Sequence, residues 1–387
     1  LHMTAAEASS TLAITAAHSP LGMTHEAYVS ACRADGVPPQ QASRAYHRAM
    51  RDGVLPESLT PNPISERLGE ETPEGPTTKF LTSVRGADKG PLASEPKAEP
   101  LEVESVIIPK VSRGGRQTFT LCVSSQVGCA MGCGFCETAQ MGLIRSLSVE
   151  EIVGQWFNAR HVIGVEISNI VFMGMGEPMD NFDAVLSAIE VLTDHHGASI
   201  PMSKITISTV GRVDGIRRLA KRLNTPGWKR LGIAVSINAP NDEIRDELMP
   251  VNRGMPMAEL REALLELPMV RTRKICFEYV LIPGVNDERE HAKQLAEFLR
   301  PWASNREQPV PSGLLNVIPY NPRRNSPWPA PEEAAVEEFI QWLIDERVFV
   351  KRRRTKGRTT MAACGQLGAA HIRRRKFVEL STPIEGG

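Results

Sequence analysis

Residues 121–142 read LCVSSQVGCAMGCGFCETAQMG, and within them Cys129-Ala130-Met131-Gly132-Cys133-Gly134-Phe135-Cys136 places three thiols at C-x3-C-x2-C spacing in a glycine-rich loop. The chain has only seven cysteines in 387 residues, so three within one short loop is no accident of composition. Seven are too sparse for a disulfide scaffold, and in a reducing compartment clustered cysteines bind metal or do chemistry. Structural zinc normally takes four ligands, often as two spaced pairs. No second C-x2-4-C or H-x3-5-H pair exists here, and the nearest downstream histidine is His161. A cubane iron–sulfur cluster held by three cysteines leaves one iron open, which suits a catalytic site. The spacing favours a 4Fe-4S cluster over zinc.

Around this loop the chain alternates short β-branched runs with amphipathic stretches. Strands are predicted at 118–124, 169–173, 204–209, 231–237, 274–282 and 314–318, with 348–352 a further edge strand. Helices are predicted at 148–163, 181–195, 213–223, 257–267, 288–299 and 332–346. Ser148-Val149-Glu150-Glu151 is a capping box, so the first of these helices starts where the apolar rhythm begins. Such repetition implies an α/β fold with a parallel sheet, either open and doubly wound or a full or partial barrel. In each case the site lies at the C-terminal ends of the strands, where the three cysteines stand.

Upstream, residues 25–55 have helical spacing broken at Gly36-Val37-Pro38-Pro39, which predicts two short helices. Residues 56–76 and 91–100 are Pro/Glu/Gly-rich and read as linkers, with short strands at 79–84 and 101–109. The expected organisation is an N-terminal helical accessory module with linker (1–100), a short strand extension (101–117), the core (118–354) and a basic C-terminal segment (355–387). At 41% hydrophobic and 23% charged the composition is globular. No run approaches the ~18 apolar residues of a membrane span, and residues 1–23 lack the basic start and apolar run of a signal peptide. The chain is therefore read as cytoplasmic.

Lysine plus arginine (45) balance aspartate plus glutamate (45), which argues against a wholly basic nucleic-acid binder. The average conceals a local excess. Between Arg347 and Lys376 lie eleven basic residues and no acidic ones, bracketing Cys364. Such a run suits neutralisation of phosphates beside a reacting base. Aromatic residues are only 5%, so base stacking on an open sheet is not indicated. A base turned out of structured RNA into a pocket fits better.

With an aromatic residue directly before its third cysteine, the motif resembles the signature of radical S-adenosylmethionine (SAM) enzymes. Taken with GMGEPMDN (174–181), ISTVG (207–211), SINAPNDEIRDELMPVNR (236–253), IPYNP (318–322) and AACGQLG (362–368), it resembles the RlmN/Cfr group of adenosine methyltransferases in unbroken order. That resemblance implies a radical SAM partial (βα)6 barrel with Cys129, Cys133 and Cys136 holding a 4Fe-4S cluster. Gly176 and Glu177 match positions that contact the SAM amino group, and Ser208, Ser236, Ile237, Asn238 and Asn321 match further SAM contacts. Many relatives carry histidine where this chain has Asn238, and an amide can hydrogen-bond but cannot titrate.

Cys364 matches the methyl-carrying cysteine of the family, Cys122 the second thiol that assists product release through a transient disulfide, and Glu104 the proton acceptor. A lone cysteine is otherwise usually a small buried hydrophobe, and a glutamate on an alternating strand usually faces solvent. The family scheme uses two SAM molecules per turnover. One methylates Cys364; the other is cleaved to a radical that takes a hydrogen from that methyl, which then adds to the base. This chemistry suits C2 or C8 of adenine, carbons that are not nucleophilic. The implied substrate is C2 of an adenosine in 23S rRNA and tRNA, with an electron donor such as flavodoxin. The alternatives are C8 methylation, a small-molecule or peptide substrate, and a non-enzymatic zinc-containing RNA-binding protein.

Overall fold

The computed structural model describes residues 18–86, 100–112, 114–268, 274–304, 310–353, 361, 363 and 365–368. In chain order these form α1 (His25–Ala34), α2 (Pro39–Asp52), β1 (Ile64–Glu70), β2 (Thr77–Val84), β3 (Leu101–Val111), β4 (Gln117–Cys122), β5 (Gln126–Gly128), β6 (Leu143–Ser146) and α3 (Val149–Phe157). There follow β7 (Ile167–Phe172), α4 (Phe182–Thr193), β8 (Ile205–Thr209), α5 (Val213–Leu223), β9 (Gly232–Ser236), α6 (Asp242–Leu248) and α7 (Met257–Leu265). The series ends with β10 (Ile275–Leu281), α8 (Arg289–Leu299), β11 (Gly313–Pro319), α9 (Glu333–Asp345) and β12 (Val350–Arg352). No helix among the described residues is long and apolar enough to cross a membrane.

The chain divides into two compact units, one of Leu1–Ser125, Ser146–Gly174 and Asn181–Thr206, the other of Gln126–Arg145, Met175–Asp180 and Ile207–Gly387. In the first, β1 to β4 form an antiparallel meander and β4 pairs in parallel with β7. Val103, Val106, Leu121, Ile170 and Phe172 are buried in this sheet, and Ile152, Val153, Trp156 and Ile189 are buried on α3 and α4. The Ser148/Glu151 capping box is present as expected. The α1–α2 pair is joined to the turn after α4 by a histidine stack: the His25 and His196 rings lie 4.1 Å apart, and His47 Nε2 is 3.3 Å from His196 Nδ1. Asp194 accepts the His25 and His196 backbone N–H groups at 2.6 and 2.8 Å. Burial lowers the pKa of His25 and of His47, so the stack favours neutral rings.

In the second unit, β9, β10, β11 and β12 pair in parallel. The central strand β10 is buried along most of its length, as a strand covered on both faces must be. Phe277 on β10 meets Trp302 at 5.0 Å between ring centroids, and Tyr279 stacks on Phe339 of α9 at 5.6 Å. At β12 the parallel series stops at an edge paired with β11. The alternation of strands and helices is that expected of the open, partial-barrel α/β class.

Three local readings need correction. Residues 64–70, read as linker, form β1; only Ile64 and Leu68 are apolar there, and the exposed Glu66 and Arg67 mark a charged edge that alternation cannot reveal. The helix predicted at 148–163 is α-helical only to Phe157 and ends in a π turn over Asn158–Val162, with Ile163 N–H donating to Asn158 O at 2.8 Å. No helix was predicted within 236–253, yet Asn241 accepts the Ile244 N–H at 3.0 Å and caps α6.

Candidate functional site

The cysteine loop is closed by a small hairpin. β5 and β6 pair as a two-stranded sheet, and Cys129 N–H donates to Gly142 O at 3.0 Å. Gly128 has φ 77°, and a Cβ there would lie 1.9 Å from Gly142 O, so only glycine fits at this neck. Inside the loop, Gly134 N–H donates to Leu248 O at 2.9 Å and the buried Arg323 Nε donates to Gly134 O at 2.8 Å. Cys129 and Cys133 are buried among Met131, Phe135, Met249 and Tyr320, and Cys136 packs against the same cluster.

Burial pushes the Cys129 thiol up to about 12 and raises Cys133 and Cys136 as well. Backbone N–H groups of Met131 toward Cys129, and of Ala139 and Thr138 toward Cys136, favour the thiolates. Buried sulfurs with donors already aimed at them suit a cationic metal group. Three thiolates in one loop suit a 4Fe-4S cubane, in which each takes a different iron.

Beside the loop stand most of the residues expected to contact SAM. Gly176 has φ 97°, and a Cβ there would meet Gln126 Cβ at 2.5 Å, so its glycine is required on both counts. Glu177 is buried; its carboxylate accepts the Met179 N–H at 3.0 Å and the Val210 N–H at 2.9 Å, and its own N–H donates to Gln126 Oε1 at 2.9 Å. Burial raises its pKa to about 7 against the pull of those N–H donors. A buried carboxyl so poised is fully ionised once a cation such as a ligand ammonium approaches it. Asn321 is 3% exposed, and its Oδ1 has no hydrogen-bond partner among the described residues, which fits an acceptor for a ligand donor. Ser208 on β8 and Ser236 at the end of β9 are partly exposed, and Ile237 is buried.

Asn238 adopts φ 55°, a left-handed conformation that asparagine tolerates better than most residues. Its Oδ1 accepts the Val280 N–H at 3.0 Å, its Nδ2 lies 3.4 Å from Met249 Sδ, and its carbonyl accepts Asn286 Nδ2 at 2.8 Å. Both ends of the amide are thus engaged within the protein.

Sequence reasoning missed Arg245. It is fully buried, and its guanidinium donates to Ile237 O (3.0 Å), Asn252 Oδ1 (2.7 Å), Val210 O (2.6 Å) and Ser236 O (3.2 Å). Burial lowers its pKa to about 10, which leaves it charged at neutral pH. One side chain therefore ties the backbone after β8 and β9 to α6. Its sequence setting, NDEIRDEL, is rich in charge and gives no hint of this.

The AACGQLG segment also meets the cysteine loop. Glu137 N–H donates to Gly365 O at 2.7 Å and Thr138 Oγ1 to Leu367 O at 2.5 Å, while Gln366 Nε2 donates to Pro322 O at 3.0 Å. Cys364 itself lies outside the described residues. Glu104 and Cys122 belong to the first unit, where Cys122 is buried. Glu104 does not face solvent as its alternating strand suggests: it is 2% exposed and paired with buried Lys79, Nζ to Oε2 3.4 Å. Lys79 was another omission from the sequence reading, because its partner lies on a neighbouring strand.

Comparison with known proteins agrees with this site. The radical SAM superfamily matches residues 123–296. A probable dual-specificity RNA methyltransferase RlmN 1 of Protochlamydia amoebophila is 42% identical over 317 residues, covering 81% of this chain and 78% of that protein. A dual-specificity RNA methyltransferase RlmN of Stenotrophomonas maltophilia is 40% identical, covering 74% and 70%. The crystal structure of a radical SAM methyltransferase from Sphaerobacter thermophilus superposes with a TM-score of 0.74 at 33% identity, over 90% of this chain and 98% of that one. With this loop geometry and relatives matched over most of its length, the chain belongs to the RlmN family of radical SAM RNA methyltransferases.

Proposed function

We propose that this enzyme methylates C2 of an adenosine in 23S rRNA and in tRNA, using two SAM molecules per turnover and an electron donor such as flavodoxin. The observation that carries the reading is the cysteine loop with the residues flanking Cys364 hydrogen-bonded along it. The relatives' name of dual-specificity RNA methyltransferase supports the two RNA classes.

In this reading Cys129, Cys133 and Cys136 hold the 4Fe-4S cluster, which when bound supplies the electron and the open iron site for reductive cleavage of SAM. Glu177 pairs with the SAM ammonium, and Asn321 Oδ1 accepts a hydrogen bond from the ligand. Cys364 takes a methyl group from one SAM and presents its carbon to the adenine. Once the radical adduct has given up one electron to the one-electron carrier, Glu104 receives the proton that it loses. The Cys122 thiolate then attacks the Cys364 sulfur; the sulfur–carbon bond breaks with its electron pair going to the methylene carbon, which takes up a proton to become the methyl group, and a Cys122–Cys364 disulfide remains to be reduced by two electrons. The basic C-terminal segment binds phosphates around the reacting base.

Two variants test this scheme on anaerobically reconstituted protein. Cys364→Ala keeps iron, sulfide and visible absorbance but transfers no methyl to RNA, whereas Cys133→Ala loses the absorbance. Methylation by Cys364→Ala protein would overturn the covalent-carrier reading.

A further inference from the structure

The buried ion pair on β2 and β3 gives the first unit a chemical role of its own. In the strand register Lys79 is opposite Val106, and Val106 is opposite Cys122; one row along, Leu81 is opposite Glu104. Residues opposite one another share a face, and alternate residues along a strand return to it. Lys79, Glu104 and Cys122 therefore share one sheet face, in two adjacent rows. The other face is a separate environment, where Ser105 Oγ donates to Gln155 Oε1 of α3 at 2.7 Å. The row of Glu104 is pinned as well, since Ser124 Oγ donates to Glu104 O at 2.7 Å and Gln155 Oε1 accepts the Ser124 N–H at 2.8 Å.

Lys79 and Glu104 are 7% and 3% exposed in their side chains. A buried ion pair seldom repays its own desolvation, so such a pair is a poor device for stability. It does fix a carboxylate in place and in its ionised form, because an opposite charge within ~4 Å favours ionisation. A proton acceptor in a water-poor site needs both.

We propose that Lys79 is the positioning residue of the proton acceptor, holding the Glu104 carboxylate ionised on the sheet face that carries Cys122. This rests on the reading of Glu104 as the acceptor. The step it serves is a proton transfer alone: a C–H bond of the adduct breaks, its electron pair stays on the base, and the proton goes to a Glu104 oxygen. Among the described residues, the charged and titratable groups that share this face with Glu104 are Lys79 of β2, Glu66 and Glu70 of β1, Glu102 and Lys110 farther along β3, and the Cys122 thiol of β4. Lys79 Nζ lies at ion-pair distance from Glu104 Oε2, 3.4 Å.

The test uses the full-length, cluster-reconstituted enzyme with transcribed RNA, comparing Lys79→Met, Lys79→Arg, Glu104→Gln and the double variant Lys79→Met/Glu104→Gln. Three quantities are followed: 5′-deoxyadenosine released, covalent protein–RNA adduct on denaturing gels, and methylated adenosine as a function of pH. For Lys79→Met the product yield at pH 7 falls at least tenfold and the acid limb of the profile moves to higher pH. Deoxyadenosine formation stays within about twofold and adduct accumulates. Lys79→Arg, which keeps the charge, stays within about threefold of the parent.

The double variant removes both charges, so it reports even if Lys79→Met does not fold; it is no slower than Glu104→Gln alone, because Lys79 acts through Glu104. A double variant clearly slower than Glu104→Gln overturns the proposal, as does a Lys79→Met profile like the parent's or a parallel loss of deoxyadenosine and product. If Glu104→Gln itself behaves like the parent, the reading of Glu104 fails and the proposal falls with it, and that result is distinct from the others.

Discussion

The cysteine loop of the second unit and the β2–β3 pair of the first are both buried and polar, yet they are built in opposite ways. In the loop, three thiols lie within eight residues and a local hairpin brings them together. In the meander, Lys79 and Glu104 are 25 residues apart in sequence and meet only because β2 and β3 pair in one register. A one-residue slip would send the two to opposite faces. Local spacing thus gathers the three thiols, while the Lys79–Glu104 pair is encoded by strand pairing.

The largest expected effect separates the two regions outright. Cys133→Ala removes the cluster's visible absorbance and iron, while Lys79→Met leaves both in place; spectra of the two reconstituted proteins check this.

Next comes Arg245, which belongs to the second unit but, like Lys79, acts across elements. Arg245→Leu leaves Val210 O, Ser236 O, Ile237 O and Asn252 Oδ1 without their donor, at a cost of about 3–5 kcal/mol in urea unfolding. SAM binding weakens with it, because the backbone ends it ties are those expected to touch the ligand. A variant as stable as the parent would show that the clamp is dispensable.

Glu177 gives a smaller, pH-dependent effect. Its pKa is raised by burial to about 7 in the unliganded protein, so binding a cation there requires loss of a proton below that pH. SAM affinity therefore rises about tenfold between pH 6 and pH 8 and then levels off. Calorimetry in buffers of different ionisation enthalpy measures the proton released, and Glu177→Gln flattens the dependence.

The smallest effect lies in the histidine stack. Burial lowers the folded-state pKa of His25 and His47 below the ordinary 6.5. Their neutral forms are favoured on folding, so the contribution is complete above pH 6.5 and is lost as pH falls through the lowered folded values. The rings are partly exposed, so screening keeps the loss small, measurable as a lower unfolding midpoint at pH 5 than at pH 7.5. A His47→Gln variant shows a smaller difference, with the His25 part remaining.

Legibility in the sequence follows the same division. Apart from the β5–β6 hairpin and α6, the alternation of strands and helices from β4 to β12 was readable because each amphipathic run carries its own period, and Ser148 and Glu151 even fix where α3 begins. The three clustered cysteines were readable because their spacing is local. β1 was not, since an exposed, charged edge strand has no apolar rhythm. Arg245 and Lys79 were not, because a buried charge looks like a solvated one until its partners are known. Glu104 was placed by resemblance alone, and its burial reverses the ordinary expectation for a glutamate on an alternating strand.

The central claim is the product itself. Purified 23S rRNA and tRNA lacking the modification are incubated with reconstituted enzyme, methyl-labelled SAM and a reductant, then digested to nucleosides for mass spectrometry. The account predicts labelled 2-methyladenosine, absent with the Cys364→Ala variant; labelled 8-methyladenosine, or no labelled adenosine at all, would contradict it.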